Sequence, residues 1–131
     1  MKTQGGQAMV ELALVLPVAL LLILAVMLVA EVGVARLALE HGAAEAARTG
    51  ALTNDDALVR ATAAAAVAPL DPTRVGVTIE PAQNEPPRLS APRGSLLRVQ
   101  LRYAVPVPLG FAGLPRLVVE GKAARRIEWS P

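Results

Sequence analysis

An uncharged stretch of nineteen residues, Leu12–Ala30, limits what this chain of 131 residues can fold into. As a helix rising ~1.5 Å per residue it spans roughly 28 Å, close to the ~30 Å hydrocarbon thickness of a bilayer. Pro17 lies inside the stretch, and membrane helices tolerate proline because neighbouring groups satisfy the freed carbonyl. A cleaved secretory signal is the competing interpretation, but the stretch exceeds the usual ~7–15 residues. The sequence therefore predicts a retained membrane helix from Leu12 through Pro17 to Ala30.

One carboxylate, Glu11, stands directly before this stretch, and Gly5 and Gly6 precede it in what we expect to be a small-residue turn. A carboxylate close to hydrocarbon is costly unless it is neutralised, so a functional role is the first hypothesis. An interfacial carboxylate that faces lipid headgroups is the other.

The remaining composition excludes several classes of protein. Aromatic residues make up 2% of the chain and the net charge is +2, so stacking on nucleic-acid bases has little to use. The absence of cysteine excludes disulfides and thiolate metal sites. The lone His41 lacks a second metal ligand or a catalytic partner. We therefore predict no enzyme activity, no cofactor, no metal, no small-molecule substrate and no nucleic-acid partner.

The charges on either side of the apolar stretch predict its orientation. Lys2 precedes it and Glu31 follows it, and positive residues favour the cytoplasmic side of a membrane helix. We expect a cytoplasmic N-terminus and a folded part, from about residue 35 onward, outside the cytoplasmic membrane.

Helical residues continue beyond the predicted span. Glu31 to Arg48 is rich in strong helix formers, and Gly50 is the expected end. The predicted packing stripe consists of Val34, Leu37, Ala38, His41, Ala44, Ala47 and Ala51. A second helix is expected from Asp55 to Val67, with a capping box formed by Thr53 and Asp56. Its expected packing face is Leu58, Ala61, Thr62 and Ala65.

After Pro72 the hydrophobic period changes to two, which predicts half-buried strands. The inward positions are expected to be Val75, Val77 and Ile79, then Leu97, Val99, Leu101, Tyr103 and Val105, then Leu117, Val119, Ala123 and Ile127, with Gly121 and Arg125 irregular. The connections Pro81–Arg93 and Pro106–Pro115 read as exposed loops and are candidate contact surfaces. The predicted fold class is α+β: a long N-terminal helix, a short second helix and a three-stranded, antiparallel sheet.

Two segments resemble a known family. Residues 6 to 17, Gly-Gln-Ala-Met-Val-Glu-Leu-Ala-Leu-Val-Leu-Pro, look like the opening of TadE-like pseudopilins of tight-adherence (Flp) pilus systems. Residues 46 to 51, Ala-Ala-Arg-Thr-Gly-Ala, resemble a stretch that often follows their helix. The resemblance implies a type IV prepilin-like precursor that a prepilin peptidase cuts between Gly6 and Gln7. Glu11 then becomes the fifth residue, and in pilin-like assemblies a carboxylate there is thought to pair with the new amino terminus of a neighbour.

The resemblance also implies a domain division and partners. Residues 1–6 would be the leader, 7–50 the transmembrane and extended helix, and 51–131 a small extracytoplasmic α+β domain. The partners would be the prepilin peptidase, other pilins or pseudopilins, the pilus assembly platform and membrane lipid. The location would be the bacterial inner membrane, with incorporation into a pilus left open. Major Flp pilins carry Tyr where this chain has Leu12 and are much shorter, which favours a minor component. The alternative is an unprocessed single-pass anchor that displays a small binding module.

Overall fold

The computed structural model describes residues 4–107, 113 and 116–131. Its elements are helix α1 (Gln4–Thr53), helix α2 (Asp56–Ala66), a 3₁₀ turn (Pro72–Arg74) and strands β1 (Gly76–Glu80), β2 (Leu96–Pro106) and β3 (Arg116–Arg126). The three strands form one antiparallel sheet in the order β1-β2-β3. Helices α1 and α2 pack against one face of this sheet. The predicted α+β fold class is confirmed.

Helix α1 is longer at both ends than the sequence predicted. Gly5 and Gly6 lie within its first turns, so the expected small-residue turn is wrong. The helix also continues past Gly50 to Thr53. Asn54 ends it, with a left-handed φ of 51° and a backbone N–H that donates to Gly50 O at 2.9 Å. Gly50 is instead a site of close packing, because a Cβ there would lie 2.7 Å from Val59 Cγ2.

The buried face of α1 is rotated from the predicted stripe. Ala38, Ala47 and Ala51 are buried as expected, but the other predicted positions, Val34, Leu37, His41 and Ala44, are exposed. The observed face consists of Ala35, Ala38, Leu39, Gly42, Ala43, Ala46, Ala47, Gly50 and Ala51. Small residues occur all around this helix, so hydropathy alone gives little contrast between its faces.

Helix α2 has nearly the predicted bounds but a different cap and a different buried face. Asp55 is the N-cap and accepts hydrogen bonds from Ala57 N at 2.8 Å and Leu58 N at 3.3 Å. The predicted capping box is therefore wrong, and Thr53 donates instead to Thr49 O. The residues buried against α1 are Val59, Ala63 and Val67, whereas the predicted Leu58, Ala61 and Ala65 are exposed; Thr62 is half-buried, as the predicted face required.

The alternating strand pattern is confirmed, and it includes Gly121, one of the two positions that looked irregular, whereas the other, Arg125, is exposed. Gly121 follows Val119 in the inward series of β3 and is opposite Leu101. A Cβ on Gly121 would lie 2.5 Å from Glu40 N, so only glycine lets the backbone of α1 approach the sheet this closely.

Candidate processing and assembly segment

The expected cleavage residues lie in the first turns of α1 and are open to solvent. Gly5, Gly6 and Gln7 are exposed. A Cβ added to either glycine would have no neighbour within 4 Å. The backbone at the Gly6–Gln7 bond is therefore free of steric cover from other described parts of the chain. Lys2, whose charge predicted the orientation of the apolar helix, lies outside the described residues.

Glu11 is exposed one helical turn after Gln7. Its carboxylate accepts a hydrogen bond from Gln7 Nε2 at 3.4 Å, which is long for such a bond. Among the described residues no cation forms an ion pair with Glu11.

Most of the apolar part of α1 has no cover from other described residues of the chain. The structure has one helix that is long and apolar enough to cross a membrane, Gly5–Thr53, and its most apolar window is unburied within the described chain. The residues from Leu12 to Ala30 fall in this part, and the helix runs through Pro17 without interruption. Among the described residues, the folded domain lies against α1 at Leu24 and Leu28, which are half-buried, as is Ala19.

Sequence reasoning missed a buried polar cluster at the opposite end of the domain. Arg88 is 1% exposed, although it lies in a connection that was expected to be exposed. Its Nε donates to Asn54 Oδ1 at 3.0 Å, and its Nη1 donates to Asp56 Oδ1 at 2.6 Å and to Pro81 O at 2.8 Å. Gln83 N donates to Asp56 Oδ2 at 3.0 Å, and Asp56 N donates to Gln83 Oε1 at 3.2 Å.

These contacts fasten the connection Pro81–Arg93 to the N-terminus of α2. Other residues of this connection are exposed, for example Leu89 at 66%. The prediction of an exposed loop is therefore correct for only part of the connection. The adjacent acidic residues Asp55 and Asp56 favour a cation nearby. The sequence carries many arginines, however, and nothing in it distinguishes Arg88 from the others. For the connection Pro106–Pro115, residues 108–112 and 114–115 lie outside the described residues.

Two carboxylates among the described residues have shifted pKa values, those of the half-buried Glu120 and the exposed Asp71. Hydrogen bonds from Lys122 lower the pKa of Glu120 most, with help from Arg102, and partial loss of hydration opposes them. Hydrogen bonds from Thr73 lower the pKa of Asp71. In the part of the chain that the structure describes, no three metal-ligating side chains of His, Cys, Asp or Glu come together.

The fold defines a class of protein: one apolar N-terminal helix, fit for a single-pass membrane anchor, continues into a small α+β domain. Residues 6–48 match the family model TadE, described as TadE-like protein. Over this segment, which covers most of α1, the chain is similar to the TadE-like proteins of the tight-adherence pilus family, as the resemblance implied. Helix α2 and the sheet lie outside the matched residues. Comparison with curated proteins and with solved structures found no match.

Proposed function

We propose that this protein is a minor pseudopilin-like structural component of a tight-adherence (Flp) pilus or a related secretion assembly. The observation that carries the proposal is the TadE match over residues 6–48, which coincides with a helix whose apolar half is bare. A bare apolar helix of this length requires a membrane or the helices of other subunits as its surroundings.

Processing is the first step of the proposed function. A prepilin peptidase cuts the chain between Gly6 and Gln7 and releases residues 1–6. The open surroundings of Gly5 and Gly6 support this step, because a protease active site needs close access to the backbone. The new amino terminus then lies at Gln7, one helical turn before Glu11.

Assembly is the second step. Glu11 binds the amino terminus of a neighbouring subunit, and this ion pair offsets the cost of placing the carboxylate beside hydrocarbon. The absence of an ion-pair partner for Glu11 within the described chain supports this role. The apolar residues from Leu12 to Ala30 pack in the membrane before assembly and against other subunits after it.

The experiment that tests processing is intact-mass measurement of the full chain after co-expression with a cognate prepilin peptidase. We expect the mass to fall by that of residues 1–6, and Gly6→Leu to block the change. Gly33→Leu is the matched control, because Gly33 is also an α1 glycine with nothing within 4 Å of an added Cβ. A wild-type chain that keeps its full mass contradicts processing and favours the unprocessed single-pass anchor.

A further inference from the structure

The folded domain extends along α1 as far as the apolar part of this helix. In the described chain, two grooves lie between α1 and the domain there. The upper one, of ≈ 380 Å³, has Glu31 and Val34 of α1 on one side and Leu70, Tyr103 and Val105 on the other.

The lower groove, of ≈ 260 Å³, brings the domain against the predicted span itself. It has Leu24, Met27 and Leu28 on the α1 side, and Pro106 and Val107 on the side of β2. The end of β2 therefore lies level with residues that precede Ala30.

The depth of this contact follows from helix geometry. Leu24 precedes Ala30 by six residues, which corresponds to roughly 9 Å along the helix axis. Segments that lie in a membrane interface bury their apolar face about 5–10 Å into the headgroup and acyl boundary. If Ala30 marks the end of the span, the end of β2 lies within that boundary.

The outer face of the sheet is the one turned away from α1 and α2, and no other described element packs on it. We call its part nearest to Leu24 the basal end, which comprises the outward residues Ala104 and Pro106 of β2 and Arg116 and Val118 of β3. Ala104 and Val118 are paired there, and Val118 is 62% exposed. Further from Leu24 the same face carries the exposed Arg98 and Lys122, beside the exposed Leu96 and Ala124.

Cations and an aromatic ring border the basal end. The guanidinium of Arg74 lies 5.1 Å from the centre of the Tyr103 ring, and Arg74 is exposed. Arg116 is exposed opposite Pro106 in the register. Tyrosine and arginine are residues that anchor proteins at membrane interfaces. Glu31 lines both grooves, so an anionic headgroup is expected at the two arginines and not on the groove floor.

From this arrangement we propose that the basal end of the sheet is a second membrane contact, which inserts between the headgroups of the bilayer that α1 spans. Its ligand is phospholipid: acyl chains contact Val118 and Pro106, and headgroup phosphates contact Arg74 and Arg116. The proposal rests on the proposed membrane anchoring of α1. The contact fixes how the domain is tilted over the membrane before assembly.

Tryptophan fluorescence in vesicles tests the proposal on the full chain. Trp129 is the one tryptophan of the sequence, so Trp129→Phe provides a background without tryptophan. Val118→Trp is placed in this background as the reporter at the basal end. Ala124→Trp is its matched control, since it lies on the same strand and face, six residues or roughly 20 Å further along. The vesicles contain phosphatidylglycerol and phosphatidylcholine, with or without bromine near the headgroup end of the phosphatidylcholine chains.

We expect bromine to reduce the emission of Val118→Trp and to leave that of Ala124→Trp unchanged. Ala104→Trp repeats the comparison from β2 if Val118→Trp does not fold, because the two positions are paired. Leu21→Trp, in the bare part of α1, reports anchoring separately through lipid brominated deep in its chains. Quenching of Leu21→Trp with none at either basal position overturns the second contact and leaves the anchor in place. Equal quenching at positions 118 and 124 also overturns it, and an unquenched Leu21→Trp overturns both proposals.

Discussion

At the scale of single residues, the buried side chain of Arg88 connects three segments of the domain. Its guanidinium joins the end of α1, the start of α2 and the connection that follows β1 through Asn54, Asp56 and Pro81. Its Nη2 has no hydrogen-bond partner among the described residues. A buried charge of this kind is costly to leave unpaired, so the contacts that it does make hold three segments in one arrangement.

Replacing Arg88 tests this role. Arg88→Met keeps much of the side-chain volume but leaves Asn54 and Asp56 without their partner. We expect the free energy of unfolding to fall by about 3 kcal/mol, as when one member of a buried ion pair is removed. Urea unfolding of the full chain in detergent, followed through Trp129 fluorescence, measures the change. Arg93→Met, at an exposed position of the same connection, is the control, and equal stability of the two variants would contradict the role.

The pKa of Glu120 provides a second prediction at this scale. Its carboxylate lies 3.1 Å from Lys122 Nζ and 2.8 Å from Arg102 Nε, and its pKa is below the ordinary 4.5. The stabilisation that it provides is therefore present above the unfolded pKa and is lost as the pH falls through the folded pKa. Lys122→Met should raise the pKa towards its ordinary value. NMR titration of the Glu120 carboxyl carbon measures this, and an unchanged midpoint would show that Lys122 is not the main cause.

At the scale of elements, the strands could be predicted from the sequence and the helix faces could not. Val99 and Leu101 alternate with polar neighbours, and a period of two leaves only two assignments of inside and outside. In α1 and α2 alanine occurs on several faces, so hydropathy does not indicate which face is buried. The buried face is the one that the neighbouring helix or the sheet packs against. That approach is determined by contacts distant in sequence, such as the backbone of α1 against Gly121.

Gly121→Ala should disrupt this approach. The added Cβ would meet the backbone of α1 at Leu39 and Glu40, which cannot move aside as a flexible side chain can. We expect a loss of stability at or above the upper end of the ~1–3 kcal/mol typical of overpacked cores. Gly76→Ala is the matched strand control, because its Cβ would lie 3.9 Å from its nearest neighbour, Arg102 O. Urea unfolding compares the two, and similar midpoints would contradict the close approach.

The cap of α2 gives a second test of an element. Asp55→Ala removes the acceptor for two backbone N–H groups, which should cost about 1 kcal/mol. Thr53→Ala should cost less, since Thr53 only returns a hydrogen bond to Thr49 O within α1. Equilibrium unfolding of both variants separates the observed cap from the capping box that the sequence suggested. A larger loss for Thr53→Ala would contradict the structure at this position.

At the scale of the whole molecule, the two halves of α1 have different surroundings. Its first half is bare and apolar, and its second half forms the core with α2 and the sheet. The first half could be predicted from the sequence because nineteen uncharged residues restrict the surroundings without any knowledge of tertiary contacts. The fastening of the connection after β1 could not, because it depends on one arginine among many that meets Asp56 across 32 residues of chain. The TadE match follows the same division, since it covers residues 6–48 and none of the sheet.

Because Glu11 lies in the half of α1 that is distant from the folded domain, replacing it tests assembly separately from folding. Glu11 lies thirteen residues before Leu24, roughly 20 Å along α1 from the groove that Leu24 forms with Pro106 and Val107. Glu11→Ala should therefore leave the fold and the cleavage after Gly6 intact, but reduce incorporation into filaments, because the amino terminus of the neighbour loses its counter-ion. Intact mass checks cleavage, and the share of the protein in sheared filaments relative to membranes checks incorporation. Glu31→Ala, the acidic residue at the other end of the span, is the control. Incorporation of Glu11→Ala at the level of this control would refute the pairing role while leaving the membrane anchor unaffected.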